Sequence, residues 1–213
     1  MSKISITTQG CSNNLRESEL MAGLLKDNHD VSLEKNNPDI NIINICTVKG
    51  DTTALKEIRK TKEKNPDKKI IVAGCITDSI IPKIKELDPS INFINTHNID
   101  KISNVVVETE NNSNIELLEK QPKPKVNIPS IRKNPVVGIV PILNSCNYFC
   151  TFCSTKQIKG KLSSYPLLDI KQDVKNHLKA GCKEIWITSQ DTGAYMLEQT
   201  GKIELINLLK EIL

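Results

Sequence analysis

Aromatic side chains are scarce in this 213-residue chain: one Trp, three Tyr and three Phe, 3% of the whole. A core with so few rings must be packed from Ile, Leu and Val. No stretch approaches the roughly 18 apolar residues that a membrane-spanning helix needs. The N-terminus, Met1-Ser2-Lys3-Ile4-Ser5, has no apolar signal-peptide core. A cytoplasmic protein with no membrane association is therefore expected. No self-similarity recurs at solenoid periods, which excludes a repeat array. The three histidines, His29, His97 and His177, have no mutual spacing, so no chemistry is assigned to them. Charge of either sign is also little in excess: 29 Lys and Arg against 25 Asp and Glu, a net +4. So small a balance permits an anionic partner such as RNA without requiring one.

Cysteine, by contrast, is plentiful: Cys11, Cys46, Cys75, Cys146, Cys150, Cys153 and Cys182. The number is odd and the expected compartment is reducing. Both facts argue for metal binding or catalysis over a disulfide framework. A composition of 38% hydrophobic and 25% charged residues is that of a globular protein. The length suits one large or two small domains.

Hydrophobic periodicity alternates between strand and helix over the first hundred residues. Strands are expected at 3–8, 39–45, 69–73 and 92–95. A helix carrying Leu15, Leu20, Met21, Leu24 and Leu25 is expected between the first two, with Asn13 or Asn14 as its cap. Asp51 can cap a second helix, which runs to about residue 64 before Pro66, and a short third helix is expected at 79–87. Alternation of this kind makes a mostly parallel α/β sheet. Residues 106–134, rich in Asn, Lys and Pro, read as a linker with one helical turn at 115–118. A second βα series follows, with strands at 135–143 and 183–188 and helices at 167–180 and 202–213. Pro141 inside the first of these strands marks its end or an exposed edge. The expected organisation is a domain at 1–105, a linker at 106–134 and a second domain at 135–213. Two βα units cannot close a barrel or readily cover both faces of a sheet. The second domain thus reads as unfinished, and the chain as a fragment or truncated reading frame.

Cys146, Cys150 and Cys153 stand in C-N-Y-F-C-T-F-C, spaced C-x3-C-x2-C on one short loop. Iron–sulfur clusters are normally held by four cysteines. Three thiolates so spaced suit three irons of a four-iron cluster and leave the fourth open to another ligand. A zinc module would favour paired knuckles completed by a second pair or by histidines. A non-catalytic electron-transfer or sensing protein would normally complete each cluster, and Cys182, which reads as a packed thiol before a strand, is the only spare. Cys11, Cys46 and Cys75 each follow an expected strand. Loops at the carboxyl ends of parallel strands converge on one edge, so these three thiols can meet as a second metal site. Buried strand-end cysteines without a metal are the alternative. Gly10 and Gly74 precede two of them and allow close backbone approach.

The spacing C-x3-C-x2-C, with Phe152 just before its last cysteine, resembles the signature of the radical S-adenosylmethionine (SAM) enzymes. The run Thr8-Gln9-Gly10-Cys11-Ser12-Asn13-Asn14 continues to Ser18-Glu19 and M-A-G-L-L. With N-I-C-T-V-K and V-A-G-C it resembles the N-terminal domain of the tRNA methylthiotransferases. The runs P-I-L-N-S-C, C-T-F-C-S-T-K, S-Y-P and G-C-K-E-I-W-I-T-S-Q-D-T-G-A-Y are similar to the archaeal and eukaryotic threonylcarbamoyladenosine branch. The resemblance covers nearly everything but the linker. Asn147 stands where relatives often have Gly, and Lys159-Gly160 where they have Arg-Gly.

The resemblance implies an N-terminal parallel α/β sheet domain followed by the first βα units of a radical SAM partial TIM barrel. It implies two [4Fe-4S] clusters, an auxiliary one on Cys11, Cys46 and Cys75 and a SAM-binding one on Cys146, Cys150 and Cys153. Ser189, Gln190 and Asp191, after the second strand of the second domain, fall where that fold faces SAM. Tyr148 and Phe152 are expected to pack beside the cluster, Phe152 also against the SAM adenine. The implied reaction transfers a methylthio group to carbon 2 of N6-threonylcarbamoyladenosine beside the anticodon. Its partners are tRNA and an electron donor such as a reductase, ferredoxin or flavodoxin. No residue is singled out as catalytic in its own right. The rest of the barrel and the usual RNA-binding TRAM domain are not in the sequence, so the chain is expected to be inactive alone.

Overall fold

A computed structural model describes residues 1–34 and 37–213, which form two units. One comprises Met1–Gln121 with Pro129–Ile131, the other Pro122–Ile128 with Arg132–Leu213. The first contains, in chain order, β1 (Lys3–Thr8), α1 (Ser12–Leu25), β2 (Asp30–Ser32), β3 (Ile40–Cys46), α2 (Asp51–Lys64), β4 (Lys69–Cys75), α3 (Ile80–Leu87), β5 (Asn92–Asn95), α4 (Ile102–Glu110) and β6 (Glu116–Leu117). Every strand pair is parallel, in the order β2-β1-β3-β4-β5-β6.

The two central strands, β3 and β4, are mostly apolar because both faces of the sheet are covered there. Ile43, Ile45, Val72 and Phe93 pack against Ala54 and Ile58 of α2 and Ile80 and Ile84 of α3. Ile42 and its register partner Ile71 point the other way, toward the face where α1 and α4 bury Leu20, Met21 and Val105. Each buried Ile or Leu is worth about 1.5–3 kcal/mol. A core of such residues with Phe93 as its one ring is what the shortage of aromatics demands.

Several sequence expectations need correction. The cap position of α1 is Cys11, in extended conformation, and neither Asn13 nor Asn14 caps it, because the Asn14 amide is engaged elsewhere. Gly50 precedes α2, and Asp51 lies in its first turn with its carboxylate 2.8 Å from Lys83 Nζ. The turn expected at 115–118 is the strand β6, which pairs with β5 through Phe93↔Glu116 and Ile94↔Leu117. Two paired residues are too few to show a period. β2, with Val31 as its only apolar residue, escaped the pattern for the same reason.

The second unit contains β7 (Val137–Pro141), β8 (Leu143–Asn144), α5 (Thr155–Lys159), β9 (Ser163–Ser164), α6 (Leu167–Lys179), β10 (Glu184–Thr188), α7 (Leu197–Thr200) and α8 (Leu205–Ile212). β7 and β10 pair in parallel, with Pro141 as the last residue of its strand opposite Thr188. The core unites Val140, Ile142 and Leu143 with Tyr165, Ile170, Val174, Tyr195 and Leu208. A two-residue antiparallel ladder, β8 with β9, closes the base of the loop between them. Among the described residues no helix is long and apolar enough to cross a membrane.

Candidate metal centres

In the first unit β1 has β2 on one side and β3 on the other. The chain thus reverses its direction of travel across the sheet at β1. In open α/β sheets such a reversal leaves a crevice at the carboxyl ends of the strands, where ligands bind. Cys46 and Cys75 end β3 and β4 as register partners. Cys11 lies three residues beyond β1, at the start of α1. Gly10 has a φ of +146°, and a β-carbon there would stand 2.9 Å from Cys46 Cβ, so the loop carrying Cys11 lies directly against Cys46. The three thiols run from exposed Cys11 through half-buried Cys46 to buried Cys75.

Asn14 joins this group. The Cys11 thiol donates to its Oδ1 at 3.5 Å, and its Nδ2 lies 3.9 Å from Cys75 Sγ. The amide is held by donation from Nδ2 to Asn44 Oδ1 and to the Ile45 carbonyl, both at 3.1 Å. Asn44 answers by donating to the Asn14 carbonyl at 2.8 Å and to Ser18 Oγ at 3.0 Å. The Thr47 hydroxyl donates to the Cys75 carbonyl at 2.8 Å, tying the last residue of β4 to the segment after β3. Sequence reading missed the two asparagines. The traces it held were the spacing of Asn14 from Cys11 and a glycine before each of two cysteines.

In the second unit the Cys146–Cys153 loop is pinned at both ends. Asn144 Nδ2 donates to the Lys159 carbonyl at 2.8 Å, and Ser145 Oγ to the Gly160 carbonyl at 2.6 Å. Inside it, the Tyr148 N–H donates to Cys146 Sγ at 3.4 Å, and the Cys153 N–H to the Cys150 carbonyl at 3.0 Å. Asp191, just beyond β10, reaches the loop. Its Oδ2 accepts from the Asn147 N–H at 3.2 Å and from the Cys146 thiol at 3.5 Å. Burial, reinforced by the Asp191 carboxylate, pushes the Cys146 thiol up. Thr155, 3.2 Å from Cys153 Sγ, draws that thiol down.

Of the other residues expected to face SAM, Ser189 Oγ accepts from the Asp191 N–H at 3.2 Å. Gln190 Oε1 is buried without a hydrogen-bond partner. Phe152 and Tyr148 are 89% and 66% exposed on the loop that carries the cysteines. Cys182 is a buried thiol, 3.9 Å from His177 Nδ1 and 3.8 Å from the Pro135 carbonyl.

Among the described residues no three His, Cys, Asp or Glu side chains converge as ligands of one metal ion. A zinc ion needs its donors on a single point, about 2.3 Å from each sulfur. A cluster places each thiolate on a separate iron, so its cysteines stand apart. Two sets of three soft sulfur donors, one braced by amides and one pinned as a loop, suit the second arrangement.

Residues 3–96 match the model of a family described as uncharacterized protein family UPF0004. The chain is 32% identical over 212 residues to a probable threonylcarbamoyladenosine tRNA methylthiotransferase of Methanothermobacter thermautotrophicus, covering 99% of this chain and 50% of the relative. It is 35% identical over 203 residues to the human threonylcarbamoyladenosine tRNA methylthiotransferase, covering 91% and 34%. It is also 31% identical over 222 residues to the ribosomal protein uS12 methylthiotransferase RimO of Carboxydothermus hydrogenoformans, covering 99% and 49%. The chain spans about half the length, or less, of these curated relatives.

Proposed function

Because residues 3–96 match the UPF0004 family model and the chain is similar over nearly its whole length to threonylcarbamoyladenosine tRNA methylthiotransferases, we propose that it serves in tRNA modification by methylthiolation. The reaction is transfer of a methylthio group to carbon 2 of N6-threonylcarbamoyladenosine beside the anticodon. The observation that carries this reading is the pair of cysteine triplets, each gathered on one edge or one loop, in a chain similar to such enzymes throughout.

Cys11, Cys46 and Cys75 would hold an auxiliary [4Fe-4S] cluster within residues 1–105. Cys146, Cys150 and Cys153 would hold a second within residues 135–213. Three thiolates per cluster leave one iron without a protein ligand. When bound, the clusters and SAM would supply the one-electron and sulfur chemistry that an unactivated aromatic C–H requires and that side chains lack. The protein's own part is to bind and orient. Asp191 holds the first turn of the Cys146 loop through the Asn147 N–H. Gln190 offers a buried acceptor without another partner, and Ser189 steadies the backbone at Asp191. Exposed Phe152 provides a flat surface that can close over an adenine ring. The substrate is a tRNA, and electrons come from a separate reductase, ferredoxin or flavodoxin in the cytoplasm.

Deleting the gene in its source organism tests this. Mass spectrometry of digested total tRNA should show loss of the 2-methylthio derivative and accumulation of unmodified N6-threonylcarbamoyladenosine. An unchanged methylthio content would overturn the reading.

A further inference from the structure

We infer that Asn14 is a positioning residue of the auxiliary centre, its amide nitrogen sharing an N–H between an oxygen acceptor and the Cys75 sulfur 3.9 Å away and wedging the Cys11 loop against the ends of β3 and β4. The inference rests on the proposed cluster at Cys11, Cys46 and Cys75. Its basis is the way the amide is oriented. The Ile45 carbonyl can only accept, so the Asn14 atom 3.1 Å from it must be the nitrogen. Asn44 Oδ1 fixes the same nitrogen a second time, and Asn44 is itself held by the Asn14 carbonyl and Ser18 Oγ. The amide therefore cannot flip. Nδ2 stays toward Cys75, and Oδ1 stays toward Cys11.

The backbone is cut to admit this side chain. A β-carbon at position 10 would stand 2.4 Å from Asn14 Oδ1, and one at position 74 would stand 2.1 Å from Asn44 Oδ1 and 3.2 Å from Asn14 Nδ2. The glycines before Cys11 and Cys75 thus leave room for the two amides. The consequences at the two cysteines differ. The contact at Cys11 needs the thiol proton and is lost when the sulfur binds metal. The N–H shared with Cys75 needs no proton on sulfur and is drawn further toward it by a thiolate. Cys75 is then the buried, fixed ligand, and Cys11, exposed on its loop, is the one that adjusts. Hydrogen bonds to cluster sulfurs are among the factors that set reduction potential, and an N–H to sulfur stabilises the reduced, more negative state.

The test uses the full chain carrying Cys146, Cys150 and Cys153 changed to Ala, so that only the auxiliary cluster forms. After anaerobic reconstitution, iron content and the potential of the reduced-state electron paramagnetic resonance (EPR) signal are measured for this parent and for Asn14→Ala. The expected result is a cluster of lower potential in the variant. Asn44→Ala, which frees the Asn14 amide without touching a thiol contact, should shift the potential the same way by less. It provides the reading where Asn14→Ala takes up no iron. A variant that loads fully at the parent's potential would overturn the inference and leave the cluster standing. A parent that forms no cluster, with Asn14 intact, would instead overturn the cluster reading and this inference with it.

Discussion

Cys46 and Cys75 are register partners, each the last residue of its strand, side by side at the carboxyl edge of a parallel sheet. Register in a sheet with both faces buried is strongly specified, since a one-residue slip would exchange Ile42 and Ile43 between opposite cores. The separation of these two thiols is therefore set by the hydrophobic pattern of β3 and β4. Cys11 is delivered differently, by a loop that Gly10 lets settle onto Cys46. Two thiols fixed on strands and one carried by a loop are the arrangement that the proposed auxiliary cluster would need, largely preformed and still able to adjust.

Separate centres predict separable iron. Changing Cys11, Cys46 and Cys75 to Ala should remove about half of the iron taken up on anaerobic reconstitution, and changing Cys146, Cys150 and Cys153 the other half. Loss of all iron from either triple variant, with its circular dichroism unchanged, would count against two sites.

SAM should alter the reduced EPR spectrum of the variant lacking the first cysteine triplet and leave that of the variant lacking the second unchanged. Asp191→Ala should weaken the SAM response about tenfold, or about 1.4 kcal/mol. It removes the charged acceptor that holds the Asn147 N–H, an interaction of the class worth about 1.5–3 kcal/mol. A SAM titration of Asp191→Ala that overlays the parent curve would remove Asp191 from the site.

Gly74 and Gly50 share a φ of +99°, but only Gly74 is crowded: a β-carbon there would stand 2.6 Å from the Ile45 carbonyl as well as against Asn44, whereas nothing lies within 4 Å at Gly50. Gly50→Ala should cost about 1–3 kcal/mol of backbone strain. Gly74→Ala should cost that plus about 1–3 kcal/mol for overlap. Urea unfolding midpoints of the two variants check the order, and equal midpoints would refute the crowding argument.

Tyr195 donates its hydroxyl to the Tyr165 carbonyl at 3.0 Å, and burial, with a smaller push from Glu198, raises its pKa from 10.0 to about 12. The folded state thus favours the protonated phenol. That contribution is complete below about pH 10 and is lost as pH rises through about 12. Tyr195→Phe should lose about 1 kcal/mol near neutral pH with the hydrogen bond, and should show a flatter decline at high pH. Denaturant unfolding of the second unit at several alkaline pH values reads this. A parallel decline in both proteins would show that Tyr195 is not the titrating group.

Much of the molecule was legible because the signals were long and local. The runs at Ile40–Cys46 and Lys69–Cys75 are mostly apolar because both faces of each strand are buried, and strand ends follow from where such runs stop. The loop cysteines declared themselves by spacing alone, since eight residues cannot spread far. Short elements did not: β2 and β6 hold three and two residues, and their pairing is decided by neighbours remote in sequence. The position of Asn14 near a helix start points to a local cap, a common use of asparagine there, and nothing local in the sequence shows the amide contacts that it makes instead.

The sequence by itself determined the α/β alternation, the placement of three cysteines after three strands and the compact C-x3-C-x2-C loop, all of them properties of neighbouring residues. Only the tertiary structure decided that Asn14 would approach two thiols, one on the loop after β1 and one at the end of β4, and that Asp191 would brace a loop 45 residues away. It also turned Phe152 to solvent. Those outcomes depend on strand order and on carbonyls such as that of Ile45 directing an amide, and neither quantity exists until the sheet has formed.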